Sequence, residues 1–429
     1  MNAPAATAPK ADLKSLYAGY DHLDPPIGVD GTPWSYFEEF RDAVHAEKQM
    51  VGWSEKHGGF WAVTGFPECD QIIKDVDGFS STGVIFPKYA VTEPLMLAEQ
   101  DEPEHMRARR LVNLSFMPRN VTQYAEAMQK AVHELMDGFI EDGKADIGRI
   151  LADPIPAIVT ALIMGLPPED GPLFDYWTTA ITHQFLVDPE GAKPKIAEMY
   201  AYFEKNIERR KREPGTDVLS SVINAEVDGE RLTHRELLGF STVLLIGGIE
   251  NSAKLIGTSL WRLGWDVELR RRLIRHPERM QAAVDELLRY YTPAPIGRIV
   301  RRETTIGGCT MKPGQQVMLV LPIANRDPRE FPHPDALIID RPNNRHLALG
   351  TGLHVCLGSH LIRMEARLVI SEFLKRIPDY TIDPAGTLKW TTGQVGGMSR
   401  VPIRFKPGAR RTAERGKGVD AWLRHATRA

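Results

Sequence analysis

The chain has 429 residues, and 53 lysines and arginines against 56 aspartates and glutamates leave a formal charge of −3. That near-neutrality removes nucleic acid as a default partner, since phosphate binding draws on a strong basic excess. Cys69, Cys309 and Cys356 cannot build a disulfide framework, and no apolar run reaches the ~18–20 residues of a membrane span, so a soluble cytoplasmic protein is expected.

Residues 1–15 are rich in alanine and proline and read as a mobile N-terminus. Phe60 to Gly65 has the aromatic and β-branched content of a strand ending at a turn. From Val121, apolar residues recur every three or four positions through Met128, Val132 and Leu135 to Phe139, which predicts an amphipathic helix. Further helical patterns cover roughly 172–186, 192–212, 216–226, 233–262, 266–275, 277–291 and 357–376. Turn signals at Gly307-Gly308 and Pro313-Gly314 precede a strand over Gln315–Val320. A proline-studded irregular run, Asn325 to Leu349, follows, and a loop that long inside a compact domain is usually functional. The basic tail 408–429 reads as a solvated terminus. The pattern predicts one body over 16–407, mainly α with a smaller β-rich region.

The most informative stretch is Leu349-Gly350-Thr351-Gly352-Leu353-His354-Val355-Cys356-Leu357-Gly358. Its glycines permit a tight loop with close backbone approach to a flat ligand. The helical pattern after it puts Cys356 at a helix N-terminus, where the dipole and free N–H groups favour a thiolate. The string resembles the heme-binding signature of the cytochrome P450 monooxygenases, Phe-Gly-x-Gly-x-His-x-Cys-x-Gly. Every fixed position matches except the first, where Leu349 replaces the aromatic. The resemblance implies a cytochrome P450-like fold enclosing one heme b, with Leu349 and Gly350 in the heme loop and Cys356 as axial ligand to the iron. Such a thiolate pushes electron density onto the iron.

Three more segments carry the resemblance. Within Asp101 to Arg110, His105 and Arg109 match the His-x-x-x-Arg pair that holds a heme propionate. Arg298, in Gly297-Arg298-Ile299, and His354 match further propionate ligands. Glu286-Leu287-Leu288-Arg289 looks like the Glu-x-x-Arg motif, whose partner arginine would be Arg341, the three bracing the heme loop. From spacing alone, Glu286 and Arg289 would be a solvated i,i+3 pair worth ~0.2–0.5 kcal/mol. The likeness runs from about 35 to 406 and is closest to the soluble bacterial camphor-hydroxylating type. One departure is Ile296, where that type carries a carboxyl group near a propionate.

Gly247 and Gly248 sit inside a long helical pattern, where each glycine costs ~1 kcal/mol relative to alanine. Close helix packing and room for a ligand are the two reasons open at this point. By resemblance this helix passes over the heme, with oxygen bound at a widened turn. Glu250 then fills the acid position of the proton-relaying acid–alcohol pair. Asn251 replaces the usual threonine, with a hydroxyl displaced to Ser252. Asparagine can order water but is no hydroxyl relay.

The segments that contact substrate in the family offer Val84, Ile85, Phe86, Tyr89, Phe185, Val243, Ile246, Ala294, Ile296, Gln394 and Val395. The set is mostly apolar and suggests a compact apolar substrate, a terpenoid or small aromatic. The resemblance implies hydroxylation or O-dealkylation with O2 and two electrons from a ferredoxin and its reductase. Arg107, Arg110, Arg119, Arg363 and Arg367 are expected to steer an acidic donor to the cysteine side. Three other readings stay open: a peroxide-using heme-thiolate enzyme, a heme-based ligand sensor, and, without heme, a cysteine-nucleophile hydrolase.

Overall fold

The computed structural model describes residues 12–89, 91, 93–412 and 416–426. The helix His234–Trp265 runs through the middle of the helical body. Thr233 caps it: its hydroxyl accepts from the Glu236 N–H while the Glu236 carboxylate accepts from the Thr233 N–H, closing a capping box. This helix is apolar on nearly every side because it is buried on nearly every side. It packs against Pro154–Ile163 and against Ser359–Arg376, the helix that follows the cysteine loop.

A five-stranded sheet stands at one side, in the order Val51–Ser54, Phe60–Val63, Gln316–Leu319, Ile296–Val300, Phe79–Ser80. Phe60–Val63 and Gln316–Leu319 pair in parallel, while Ile296–Val300 is antiparallel to the latter with Arg298 opposite Val317. A Cβ on Gly297 would meet the Gly83 carbonyl at 2.1 Å, so only glycine lets the 83–84 loop close on the strand that carries Arg298.

The expected strands appear at Phe60–Val63 and Gln316–Leu319, and the expected helices at Ala125–Asp137, Pro189–Arg212, Val218–Asn224, His234–Trp265, Val267–Arg275, Met280–Tyr290 and Ser359–Arg376. The 172–186 segment is not one regular helix, because a π-helical turn, Ala180–Gln184, interrupts it. The mobile N-terminus lies largely outside the described residues, but Leu13 is already buried at the start of a helix. The tail also differs from the solvated terminus expected. Lys417–Ala426 is a helix that buries Val419 and Trp422, and the Trp422 indole donates to the Arg149 carbonyl at 3.1 Å. Spaced three apart, those two residues outweigh the arginines around them.

Candidate active site

The cysteine loop turns where its glycines allow. Gly350 and Gly352 lie at φ +68° and +65°, the left-handed region that suits residues without a Cβ. The Cys356 N–H donates to the Leu349 carbonyl at 2.8 Å, and the Asn325 side chain accepts from the Leu347 N–H at 2.7 Å. Leu349 is buried, filling by packing the place of the signature aromatic. The helix begins at Ser359 after Gly358 as N-cap, so Cys356 sits just ahead of it. Although its surface is exposed to the cavity, the protein packed around Cys356 pushes the thiol up, against the Gly358 N–H and the charges of Arg109 and Arg363, which pull it down. The helix terminus alone does not make this sulfur a thiolate; a bound metal ion in place of the proton would.

Four nitrogen-bearing side chains converge beside this loop. The His105 and His354 rings stack with centroids 3.9 Å apart. His105 meets Glu102 through Nδ1 at 2.9 Å, while its Nε2 is buried with no partner among the described residues. His354 Nε2 lies 3.1 Å from the Ser81 hydroxyl, and burial, His105 and Arg298 together push it down to about 3. Arg109 donates to the Val355 carbonyl at 2.8 Å, tying its helix to the cysteine loop. Arg298 is buried, makes no ion pair among the described residues, and is pushed down to about 10 by that burial.

Glu286 and Arg289 are both fully buried, so the solvated pair is not what the chain builds. Arg289 grips the carboxylate with two N–H groups at 2.8 Å each and also donates to the Asn325, Pro334 and Ala336 carbonyls. Arg341 reaches both oxygens at 3.1 Å, and the Ile338 N–H and Asn344 amide complete the set. The irregular run after Asn325 is thus pinned through its own carbonyls, which explains how so long a loop stays ordered.

On the opposite side, the two adjacent glycines have separate reasons. A Cβ on Gly248 would meet the Thr160 hydroxyl at 2.9 Å, which is close helix packing. A Cβ on Gly247 would meet nothing within 4 Å, and both glycines line a cavity that also reaches Cys356, His105, Arg109, Arg298 and His354. The helix is α-helical throughout, without the widened turn expected from the resemblance. Glu250 is buried, and its Oε1 accepts from the Thr182 hydroxyl at 2.7 Å and from His183 Nε2 at 3.0 Å. Both donors sit on the π-helical turn, which aims neighbouring side chains at one oxygen. Oε2 is buried without a partner among the described residues. Asn251 is half-buried, Ser252 is buried, and beside Ser252 stands Glu365, pushed up to about 8 by burial.

A family model described as "Cytochrome P450" matches residues 172–377. The monooxygenase PikC of Streptomyces venezuelae, itself a cytochrome P450, is 33% identical over 373 residues, covering 81% of this chain and 86% of its own. The chain is a cytochrome P450. The biotin biosynthesis cytochrome P450 of Bacillus subtilis is 32% identical over 389 residues, covering 87% of this chain and 96% of its own. Among solved structures, cytochrome P450 CYP109Q5 from Chondromyces apiculatus superposes with a TM-score of 0.81 at 31% identity, covering 92% of this chain and all of that one. The fold is therefore the P450 fold, and the chain is an oxidoreductase of the P450 monooxygenase family, which works with heme.

The cavity of this cytochrome P450 fits that group. Below it stands the Cys356 sulfur, above it a glycine with open space, and at its edge Arg298 and His354 crowd together, with Asp101 acting on both from a distance but in ion-pair contact with neither among the described residues. Such a cluster is costly unless an anion joins it, and heme brings two propionates.

Of the apolar pocket candidates, Val84, Val243 and Ile296 line the cavity. Tyr89 is buried within electrostatic reach of Glu250. Phe86 stacks against His22, and its carbonyl accepts from Gln394 at 2.7 Å. Ile246 and Val395 are buried, while Ile85, Phe185 and Ala294 are half-buried. Of the arginines expected to be free for a donor, three are engaged: Arg107 with Glu230 and Glu236, Arg110 with Asp228, and Arg363 with Asp285. Arg119 and Arg367 are exposed and make no ion pair among the described residues. Thr182, His183, Glu365 and Ser81 carry no motif, and only the fold brings them to the site.

Proposed function

We propose that this P450 hydroxylates or O-dealkylates a compact apolar substrate with O2 and two electrons from a ferredoxin and its reductase, in the cytoplasm, with heme b as its group. Bound heme supplies oxygen activation and transfer of one oxygen atom to the substrate. Cys356 holds the iron through its sulfur. His105, Arg109, Arg298 and His354 hold the propionates, and Glu286, Arg289 and Arg341 keep the loop in place. The observation that carries this reading is the convergence of Cys356, Arg298 and His354 on one cavity roofed by Gly247.

Proton supply falls to the residues around Glu250. The His183 side chain is 31% exposed, and it donates through Nε2 to Glu250, so it joins solvent to the buried acid. The Oε2 of Glu250 meets no donor among the described residues, which leaves it to water. Asn251 holds that water but supplies no proton. Ser252, two residues on and turned to another face of the helix, forms with Glu365 of the Ser359–Arg376 helix a second acid–hydroxyl set.

Apolar Val84, Val243 and Ile296 favour a terpenoid or small aromatic. CYP109E1 from Bacillus megaterium, 31% identical with a TM-score of 0.78, has been solved with testosterone, so apolar ring systems suit a similar frame. The donor face combines exposed Met106, Leu114 and Met117 with Arg119 and Arg367. The deciding experiment gives the reconstituted system ¹⁸O2 and a panel of monoterpenes and alkylbenzenes. One ¹⁸O atom per hydroxylated product supports the monooxygenase. Product formed only with added peroxide, and none with the electron donor, favours the peroxide-using reading that Asn251 keeps open.

A further inference from the structure

Away from the cavity, two segments bring Asp21, His22 and His57 together, with one ligand atom of each within 4.8 Å of the others. His57 occupies the turn between strands Val51–Ser54 and Phe60–Val63 at φ +52°. Its Nε2 lies 2.8 Å from the Asp21 carboxylate, which also accepts from the Leu23 N–H at 2.9 Å. An Asp–His pair at a surface turn is ordinary by itself. His22 is what makes the cluster unusual.

His22 is 4% exposed, and its Nε2 lies 2.5 Å from the Phe86 carbonyl. A carbonyl can only accept, so Nε2 carries the hydrogen and Nδ1 carries the lone pair. Nδ1 is buried and has no partner among the described residues. A buried acceptor without a donor costs free energy unless something electrophilic meets it. An imidazole whose far nitrogen donates to a backbone carbonyl is also the usual arrangement of a metal ligand and its supporting contact.

We propose that Asp21, His22 and His57 bind one divalent transition ion, with zinc as the probe, and that the ion pins the segment around Phe86. Two imidazoles and a carboxylate form a three-ligand set that leaves a position for water. A tetrahedral zinc with bonds of ~2.0–2.1 Å sets its ligand atoms about 3.3 Å apart. Side-chain rotations of an ångström or so reach that spacing from the present one.

The link to the Phe86 segment is direct. The Phe86 carbonyl accepts from both His22 and Gln394, and its ring packs on His22, His57 and Phe60 at centroid distances of 6.1, 6.3 and 6.0 Å. Fixing His22 and His57 on one ion fixes this cluster, and Val84, two residues earlier, lines the cavity. Only the bearing of this cluster on the substrate cavity rests on the proposed function; the ion site stands without it.

The test titrates zinc chloride by calorimetry into full-length, heme-loaded protein stripped of exchangeable divalent ions. The expected result is one zinc per chain with a Kd of about 1 μM or tighter, weakened at least tenfold by His57→Ala and by Asp21→Asn. His57 is on the surface, so its variant keeps the fold, checked by an unchanged heme spectrum. No saturable binding below ~100 μM, or a site that survives His57→Ala intact, overturns the ion site. Hydrogen exchange then reads the second half: zinc should slow the amides of residues 84–89 severalfold in the wild type and not in His57→Ala. Stoichiometric binding with unchanged exchange there overturns the pinning. Both readouts are independent of turnover, so a failure of the proposed function leaves them readable.

Discussion

On the cysteine side of the cavity, Glu286 takes N–H groups from Arg289, Arg341, Asn344 and Ile338, and both charged partners of its core pair are fully buried. On the glycine-helix side, Glu250 leaves one buried carboxyl oxygen without a partner among the described residues, and Glu365, reaching that helix at Ser252 from the helix packed against it, is as poorly satisfied. The two sides bury acids alike and differ in how completely each is satisfied. A saturated carboxylate has nothing left to give and acts as a fastener, since each donor lost leaves a buried charge exposed to low dielectric. An unsaturated one carries a standing cost and keeps an oxygen for water or a proton.

The largest effect should come from breaking the saturated side. Arg289→Ala strands the Glu286 carboxylate and releases three loop carbonyls, at a cost of ~3–5 kcal/mol. We expect protein with low heme content and a lowered unfolding midpoint, read by heme-to-protein absorbance ratio and thermal melting. Full heme occupancy and an unchanged midpoint would make the hub ornamental.

Next comes Glu250→Gln, which keeps shape and removes the ionisable group. Turnover should fall ~10²–10⁴-fold if this is the main acid–base group, while stability holds. His183→Phe, which cuts the path to solvent, should cost less, and Asn251→Ala less again. Product per NAD(P)H consumed, with peroxide release alongside, gives the order. Coupled turnover by Glu250→Gln at wild-type speed would move proton supply to Ser252 and Glu365.

Glu365 gives the smallest effect and the clearest sign. Its folded value of about 8 lies above the ordinary 4.5, so the native chain binds that proton more tightly than the unfolded one. The stability this group contributes is complete below about 4.5 and is lost as pH rises through about 8. Glu365→Gln should therefore match the wild type near pH 5 and melt about 2–5 °C higher near pH 9. Equal melting curves at both pH values would show that the carboxyl finds partners in solution.

What the sequence discloses follows the same division. Cys356 stands out with its adjacent glycines, and Glu286 with Arg289 as a motif of the family the chain resembles; spacing alone reads that pair as solvated, since its burial and its third member, Arg341, 55 positions on, leave no mark on the helix. Arg298 is legible only through the resemblance carried by Gly297-Arg298-Ile299; the reason for the glycine, the close approach of the 83–84 loop, shows only in the structure. His183 meets Glu250 across 67 positions and only through a π-helical turn, which leaves no pattern in the chain. Phe86 is readable as apolar, but which neighbour it stacks on is decided by His22, far from it in sequence. The arginines of the donor face are visible as charges, and their engagement by Glu236, Asp228 and Asp285 is not.

The central claim is that Cys356 holds the iron while the saturated hub keeps the loop under it. The most direct measurement is the carbon monoxide difference spectrum of the reduced, heme-loaded protein beside Cys356→Ser. The account predicts the strongly red-shifted Soret band of thiolate ligation in the wild type and its loss in the variant. A folded, heme-loaded wild type without that band, or a Cys356→Ser protein that retains it, would contradict the account.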